Sequence, residues 1–289
     1  MMIATHAPAL VDYIYMIDRY PEKGGHALVK GTSKSPGGAG ANVMHNLAKL
    51  GVDAAIFTTL GEDEDAEFFI KNTFAKIFYE VTDKKTGKVH VFVDSSGERT
   101  FFVEPNAAAK PVVFVPKCDY LYIDPFPSEK SFEVQLKVLE ESRSFKILNP
   151  GFLYVSYGFE KLKKMLKLVD MVILSKEEFK MLGVDKKDIL DLVNYLIITE
   201  GSKGSMCFTK EGEFFAEAYK TKAIDTTGAG DAFAAGFLYA FMNSLPIEIC
   251  LKLGNFCGAY KVARIGARNF PEKKVVDEVL ATILNGRSE

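Results

Sequence analysis

Short, continuously apolar segments recur along this 289-residue chain with amphipathic segments between them, and no other feature limits the fold as much. Ala54–Leu60, Tyr120–Ile123, Lys146–Leu148, Met171–Leu174 and Tyr195–Thr199 read as strands apolar on both faces, as strands covered from both sides must be. Phe132–Glu141, Phe159–Leu168 and Lys187–Val193 carry helical spacing between them. Such repetition implies an α/β fold with a mostly parallel sheet and helices on both faces, a three-layer αβα arrangement. Two stretches break the rhythm: Asp12–Ser35 and Gly87–Glu104 alternate apolar and polar residues, with turn signals at Pro21–Gly25, Thr86-Gly87 and Ser95-Ser96-Gly97. Val89–Val93 and Arg99–Val103 predict a hairpin. These stretches would build a small sheet beside the main one, suited to a flap over a ligand cleft, to an oligomer contact, or to both.

Composition removes several function classes. Lys plus Arg number 36 against 38 Asp plus Glu, a net charge of −2, so no basic field exists to hold a phosphate backbone and no nucleic-acid partner is expected. A hydrophobic fraction of 48% with 26% charged residues excludes long disorder. No apolar run approaches the ~20 residues of a membrane helix, and Met1–His6 lacks the basic start of a signal peptide; a cytoplasmic location without membrane contact is the expectation. Cysteines 118, 207, 250 and 257 form no C-x-x-C, and Cys250 and Cys257 share a helix face, which predicts buried free thiols. Gln135 is the only glutamine, Trp is absent, and Lys and Glu are plentiful, a bias in the hyperthermophile direction.

Residues 225–238 carry the chemistry: Asp-Thr-Thr-Gly-Ala-Gly-Asp-Ala-Phe-Ala-Ala-Gly-Phe-Leu. A strand-like segment, Glu213–Ala223, precedes them, and Ala232–Met242 is a strong helix former. Gly228-Ala229-Gly230 therefore sits at a strand-to-helix turn, where successive backbone N–H groups at the positive helix end suit phosphate oxygens. Asp231, in the first helical turn, has two open readings: compensation of the helix dipole, or a general base toward a hydroxyl that attacks a phosphoryl group. A second glycine-rich entry, Pro36-Gly37-Gly38-Ala39-Gly40-Ala41-Asn42, leads into a short helix over 42–50, read either as a tight turn or as a polar-ligand site using Asn42. Gly228-x-Gly230-x-x-Phe233 and Gly38-x-Gly40-x-x-Val43 both lack the third glycine of a dinucleotide fingerprint, and no G-x-x-x-x-G-K-[ST] loop occurs.

The early Gly37-Gly38-Ala39-Gly40-Ala41-Asn42 through Leu50-Gly51 and the late Asp225-Thr226-Thr227-Gly228-Ala229-Gly230-Asp231 resemble the two signature regions of the ribokinase-like (PfkB-type) carbohydrate kinases, in the family's order and over nearly the whole chain. The resemblance implies one kinase domain over 1–289, with a β-lid from about 12–35 and 87–104. It implies Asp231 as catalytic base, and Gly228, Ala229 and Gly230 as an anion hole. Asp12, at the end of the first strand, with Gly38 and Asn42, would bind substrate hydroxyls. Thr199, Gly201 and Gly204 would line the ATP phosphates or ribose, and Asn255, on a helix over 248–262, would approach the adenine. Glu178 would organise Mg²⁺ through water. Asp225 and Thr227, with Arg264 and Gly266, match the loop that in many members holds a monovalent cation such as K⁺. Some relatives dimerise lid to lid, so a homodimer through the lid is implied as an option.

The chain departs from the family pattern in places. The family's N-x-x-E reads Ser175-Lys176-Glu177-Glu178; Gly61-Glu62-Asp63-Glu64-Asp65-Ala66 lacks a last glycine; and position 39 is Ala where ribokinases carry Lys. With no cation at position 39, a neutral sugar or a cyclitol such as myo-inositol is the expected acceptor, with a nucleoside or sugar phosphate as the alternative. Two other classes stay open: a non-catalytic sugar- or nucleotide-binding protein on the same scaffold, and a dinucleotide oxidoreductase, which both failed fingerprints discourage. Outside the motifs, His45, His26 and His90 read as structural, and Lys161–Lys167 as a solvated helix face. His6, Asp124 and Arg99 are minor candidates for the cleft.

Overall fold

The computed structural model describes residues 1–95 and 97–286; Ser96, in the expected hairpin turn, and the last three residues lie outside the described residues. In chain order the strands are β1 (Met2–His6), β2 (Leu10–Ile17), β3 (Val29–Gly37), β4 (Asp53–Leu60), β5 (Lys76–Val81), β6 (Gly87–Val93) and β7 (Arg99–Glu104). They continue with β8 (Tyr120–Ile123), β9 (Phe145–Leu148), β10 (Met171–Ser175), β11 (Tyr195–Thr199), β12 (Ser205–Phe208) and β13 (Glu213–Ala216). Nine of these form the main sheet in the order β13-β12-β11-β10-β9-β8-β1-β4-β5, and four form the small sheet β3-β2-β6-β7. From β11 to β5 every neighbouring pair is parallel; only the β12 and β13 edge runs antiparallel.

The continuously apolar strands have the expected cause. On β8, Tyr122 packs into one core cluster while Leu121 and Ile123 pack into the other. On β10, Met171 and Ile173 face the first layer and Val172 and Leu174 the second. The first layer is built by the helices Ala39–Lys49, Ala229–Met242 and Ile247–Val262, the second by Ser131–Glu141 and Phe159–Leu166. Side chains alternate across a strand, so a strand sandwiched between helix layers needs apolar residues at every position. All four cysteines are free thiols; three are buried and Cys118 is partly so.

Three departures from the sequence-based reading bear on the site. The strand expected over 213–223 ends at Ala216, because the Asn255 amide donates to the carbonyls of Ala216 (2.9 Å) and Glu217 (3.0 Å) and takes the place of a strand partner. The first short helix starts at Ala39 rather than 42. Its boundary is Gly38, whose φ of 95° is open to glycine and where a Cβ would strike the Pro8 carbonyl. Asp12 does not end the first strand: β1 stops at His6, before Pro8, which has no N–H to continue the ladder. Asp12 stands instead on β2 of the small sheet, opposite Ser35 and Val89.

One buried side chain ties the layers together at the carboxyl end of the sheet. Gln135 donates to the carbonyls of His6 and Asp124, both at 2.8 Å, and accepts from the Tyr154 hydroxyl at 2.5 Å. Gln135→Leu would strand these buried groups, an expected loss of about 1–3 kcal/mol in urea unfolding. Unchanged unfolding in that variant would contradict a bridging role.

Candidate active site

Both glycine-rich helix starts open toward each other at the carboxyl ends of the main strands. Asn42, one turn into the helix Ala39–Lys49, donates from Nδ2 to Asp231 Oδ2 at 2.9 Å. Asp231 occupies the first turn of the helix Ala229–Met242, whose N-cap is Gly228 at φ 74°. A Cβ on Gly228 would lie 2.6 Å from the Ala267 carbonyl, so glycine there lets the loop after the helix Ile247–Val262 close onto the turn. That approach brings in Arg268, which the motifs do not flag. Its Nε donates to Asn42 Oδ1 at 2.8 Å, and its Nη1 is held by Thr73 Oγ1 (2.8 Å) and the Asn72 carbonyl (2.9 Å). The Arg268 guanidinium thus orients the amide that orients Asp231.

Two carboxyls, Asp231 and Asp12, share this cation, and a third, Asp124, bears on Asp231. Burial pushes Asp231 up to about 6, opposed by the Asn42 hydrogen bond and the charges of Arg268 and Lys261. Burial lifts Asp12 to about 7; Arg268 opposes this and Asp231 adds to it. Asp124 also rises to about 7 by burial, while the Gly40 N–H it accepts at 2.9 Å pulls the other way. Burial lowers Arg268 to about 9, against the support of Asp12 and Asp231. Perturbed groups gathered in a cleft are suited to moving a proton near neutral pH.

The turn before Asp231 offers donors. Ala229 N–H is bound within the turn to the Thr226 carbonyl at 3.2 Å, whereas no protein acceptor for Gly228, Gly230 or Asp231 N–H is found among the described residues. These amides at the positive helix end can hold an anion. Behind them Asp225 is anchored by Thr227 N–H and Gly266 N–H (both 2.7 Å), by Lys261 Nζ (3.1 Å to Oδ1) and by Arg99 of the small sheet (2.7 Å). Burial works to raise Asp225, but the two amides and Lys261 outweigh it and hold it near 2. Arg99 also bonds the Thr227 hydroxyl, so it docks the small sheet on this turn and is not solvated.

A cavity of about 550 Å³ adjoins the same turn, lined among others by Thr199, Gly201, Gly204, Asn255, Ala229 and Gly230. Both Asn255 amide hydrogens are bound to the 216–217 backbone, so this side chain shapes the wall without a free donor. Glu178 closes a capping box with Ser175: its Oε2 accepts Ser175 N–H at 2.7 Å, and Ser175 Oγ accepts Glu178 N–H at 3.2 Å. The serine standing in the N-x-x-E position is thus a helix cap.

His6 and His45 are neutral. Burial takes His6 down to about 4, and its Nε2 meets the Val112 carbonyl at 2.9 Å. His45 falls to about 3 by burial and the nearby charges of Arg268 and Lys49. His90 pairs with Glu104 at 2.7 Å on the small sheet. Arg268 carries no motif, but Lys261 left a signal: with Cys250, Gly254 and Cys257 it falls on one buried helical stripe, where a lysine is out of place.

The folded Asp231 binds its proton more tightly than an unfolded aspartate, near 6 against 3.8, so its ionisation above that value costs stability. Asp231→Asn is therefore expected to melt higher than wild type at about pH 8, with the gain shrinking toward about pH 4. A variant that melts lower at the higher pH would contradict the buried, strained carboxylate.

Residues 5–274 match the family model described as pfkB family carbohydrate kinase. A nucleoside kinase of Methanocaldococcus jannaschii is 28% identical over 283 residues, covering 93% of each chain; its crystal structure superposes with a TM-score of 0.86 over 97% of this chain and 98% of that one. An uncharacterized sugar kinase of Archaeoglobus fulgidus is 30% identical over 77% of this chain and 96% of its own. The fold also matches a ribokinase structure from Thermotoga maritima, at 23% identity and TM-score 0.86, over 97% of this chain and 99% of that one.

Proposed function

The chain belongs to the pfkB family of carbohydrate kinases, and from that premise we propose that it transfers the γ-phosphoryl group of ATP to a sugar hydroxyl of a nucleoside. The observation that carries the acceptor class is the cleft-side face of the small sheet. Register places Asp12, Val89 and Val103 in one cross-strand row and Ile14, Val91 and Phe101 in the next. Asp12 bears on Asp231 and Arg268, and Arg99, two residues before Phe101, reaches Asp225, so this face looks into the cleft. Phe101 and Val103 are 54% and 47% exposed there. A free sugar or cyclitol presents hydroxyls on all sides and would leave some of them against Val and Phe without partners, at ~1–3 kcal/mol each. A nucleoside offers hydroxyls at one end, for Asp12, Asn42 and the Gly38 turn, and a flat apolar face at the other. The similar nucleoside kinase of M. jannaschii supports the same choice.

In this reading the 550 Å³ cavity takes the nucleotide, with Thr199, Gly201 and Gly204 along its phosphates and ribose and Asn255 in its wall. The terminal phosphoryl group meets the free amides of Gly228 and Gly230 at the helix start, with Ala229 as the turn between them. Asp231 accepts the proton of the attacking hydroxyl, while Asn42 and Arg268 keep its carboxylate aimed and ionised. No three His, Cys, Asp or Glu side chains converge on a metal position among the described residues. That fits Mg²⁺ carried mainly by phosphates and water, with Glu178 as the protein carboxylate; bound there it would neutralise charge on the transferring group. Arg99 ties the small sheet down over the site and so helps exclude water, which limits wasteful ATP hydrolysis.

Asp231→Asn is expected to lower kcat by about 10²–10⁴ while nucleotide binding, read by calorimetry, stays near wild type; near-normal turnover would remove the base assignment. The acid limb of kcat/KM should fall with an apparent pKa near 6. Removing the neighbouring cation disfavours the carboxylate, so Arg268→Gln should move that limb to higher pH. An ADP-release assay over nucleosides, free sugars, cyclitols and sugar phosphates tests the acceptor class. Nucleosides should exceed the others by about tenfold or more in kcat/KM, the value of one or two well-placed contacts; preference for ribose, fructose or myo-inositol would restore the neutral-sugar reading.

A further inference from the structure

Lys261 is 0% exposed, at the end of the helix Ile247–Val262. Its Nζ donates to the carbonyl of Asp225 at 2.5 Å and that of Arg264 at 3.3 Å, and lies 3.1 Å from Asp225 Oδ1. These oxygens belong to the two loops that the family resemblance assigns to a monovalent cation. The rest of the loop is also turned to other use. Gly266 presents its N–H, not its carbonyl, to Asp225 Oδ2 at 2.7 Å, Thr227 N–H takes Oδ1, and the Arg99 guanidinium lies against the same carboxylate. A potassium ion wants carbonyl and carboxylate oxygens around a vacancy; here two cationic side chains and two peptide N–H groups already surround Asp225. A third positive charge at these distances would meet strong repulsion in a buried setting. The residues therefore do not fit a bound alkali cation.

We infer that the ε-ammonium of Lys261 is a built-in substitute for the activating monovalent cation, pinning the 225–228 turn to the 264–267 loop and placing a fixed positive charge behind the anion-binding amides. An ammonium group suits the task, since it offers one positive charge and can satisfy several oxygens at once. Asp225, Arg99 and Asp231 are the charged groups that bear on it. Burial lowers the Lys261 pKa, while the hydrogen bond and charge of Asp225 support the ammonium form. Lys261 is a positioning residue in this account, acting through the backbone of the turn, and the inference holds whichever alcohol is the acceptor.

The test compares KCl, NH₄Cl and choline chloride at equal ionic strength on the full chain, reading the melting midpoint, the shift in midpoint produced by MgADP, and ADP release. Wild type should give the same midpoint and ADP shift in all three salts and rates within about twofold, because no cation site is there to saturate. Lys261→Ala, or Lys261→Met if the alanine variant does not fold, should melt lower in choline chloride. K⁺ or NH₄⁺ should then raise its midpoint and its rate saturably. A wild-type enzyme stabilised or stimulated saturably by K⁺ would overturn the inference, as would a folded variant that keeps full activity and ignores all three cations. The midpoint readings decide the matter even if no acceptor in the panel is phosphorylated, so failure of the cation inference and failure of the nucleoside reading are separable.

Discussion

The contact on which the rest of the site depends is the 2.9 Å hydrogen bond from Asn42 to Asp231, with Arg268 Nε 2.8 Å behind the amide. A carboxylate at the start of a buried helix is pulled two ways: the dry surroundings favour the protonated acid, while the helix dipole, an amide donor and a nearby cation favour the base. The balance here leaves Asp231 near 6, ionised at neutral pH yet basic enough to accept a proton. The same chain of contacts joins distant segments, since Asn42, Thr73, Asp231 and Arg268 come from four different parts of the sequence. Glycine makes the join possible, at Gly38 on one side and Gly228 on the other, where any side chain would hold the backbones apart.

Behind this hydrogen-bonded pair stands a second charged knot. Asp225 is buried and held near 2 by two amides and Lys261, and Arg99 of the small sheet reaches it as well. A carboxylate so fully compensated does not exchange protons at neutral pH; its work is to fix the turn that carries the free amides. Asp231 and Asp225 are six residues apart, and their surroundings push them in opposite directions. Division of labour between two carboxylates by environment is a recurrent pattern at sites that move protons.

Much of the fold was legible because a strand covered on both faces writes itself as an unbroken apolar run. Tyr120–Ile123 and Tyr195–Thr199 are bounded in the structure as the run predicts, and the hairpin over 87–104 follows from its alternation and turns. Boundaries failed where tertiary contacts overrode local pattern, as at Ala216, where the distant Asn255 ends the strand. Asp12 was misplaced because Pro8 ends β1 early and the chain then turns into the small sheet. At the site, helix starts with glycine and aspartate can be read from local spacing. Arg268 cannot, since its partners at 42 and 73 lie about 200 residues away and no periodicity marks a loop arginine. Lys261 could have been noticed as a lysine on a buried stripe, but its three oxygen partners exist only in the folded chain.

The central proposal is that Asp231 and the amides of Gly228 and Gly230, gathered at one helix start, serve a single reacting centre. The most direct measurement is a crystal structure with MgADP, aluminium fluoride as a mimic of the transferring phosphoryl group, and a bound nucleoside. The account predicts the fluoride ligands on the N–H groups of Gly228 and Gly230, and the acceptor oxygen within about 3 Å of an Asp231 carboxylate oxygen. A metal fluoride seated elsewhere, or an acceptor hydroxyl facing a different residue, would contradict it.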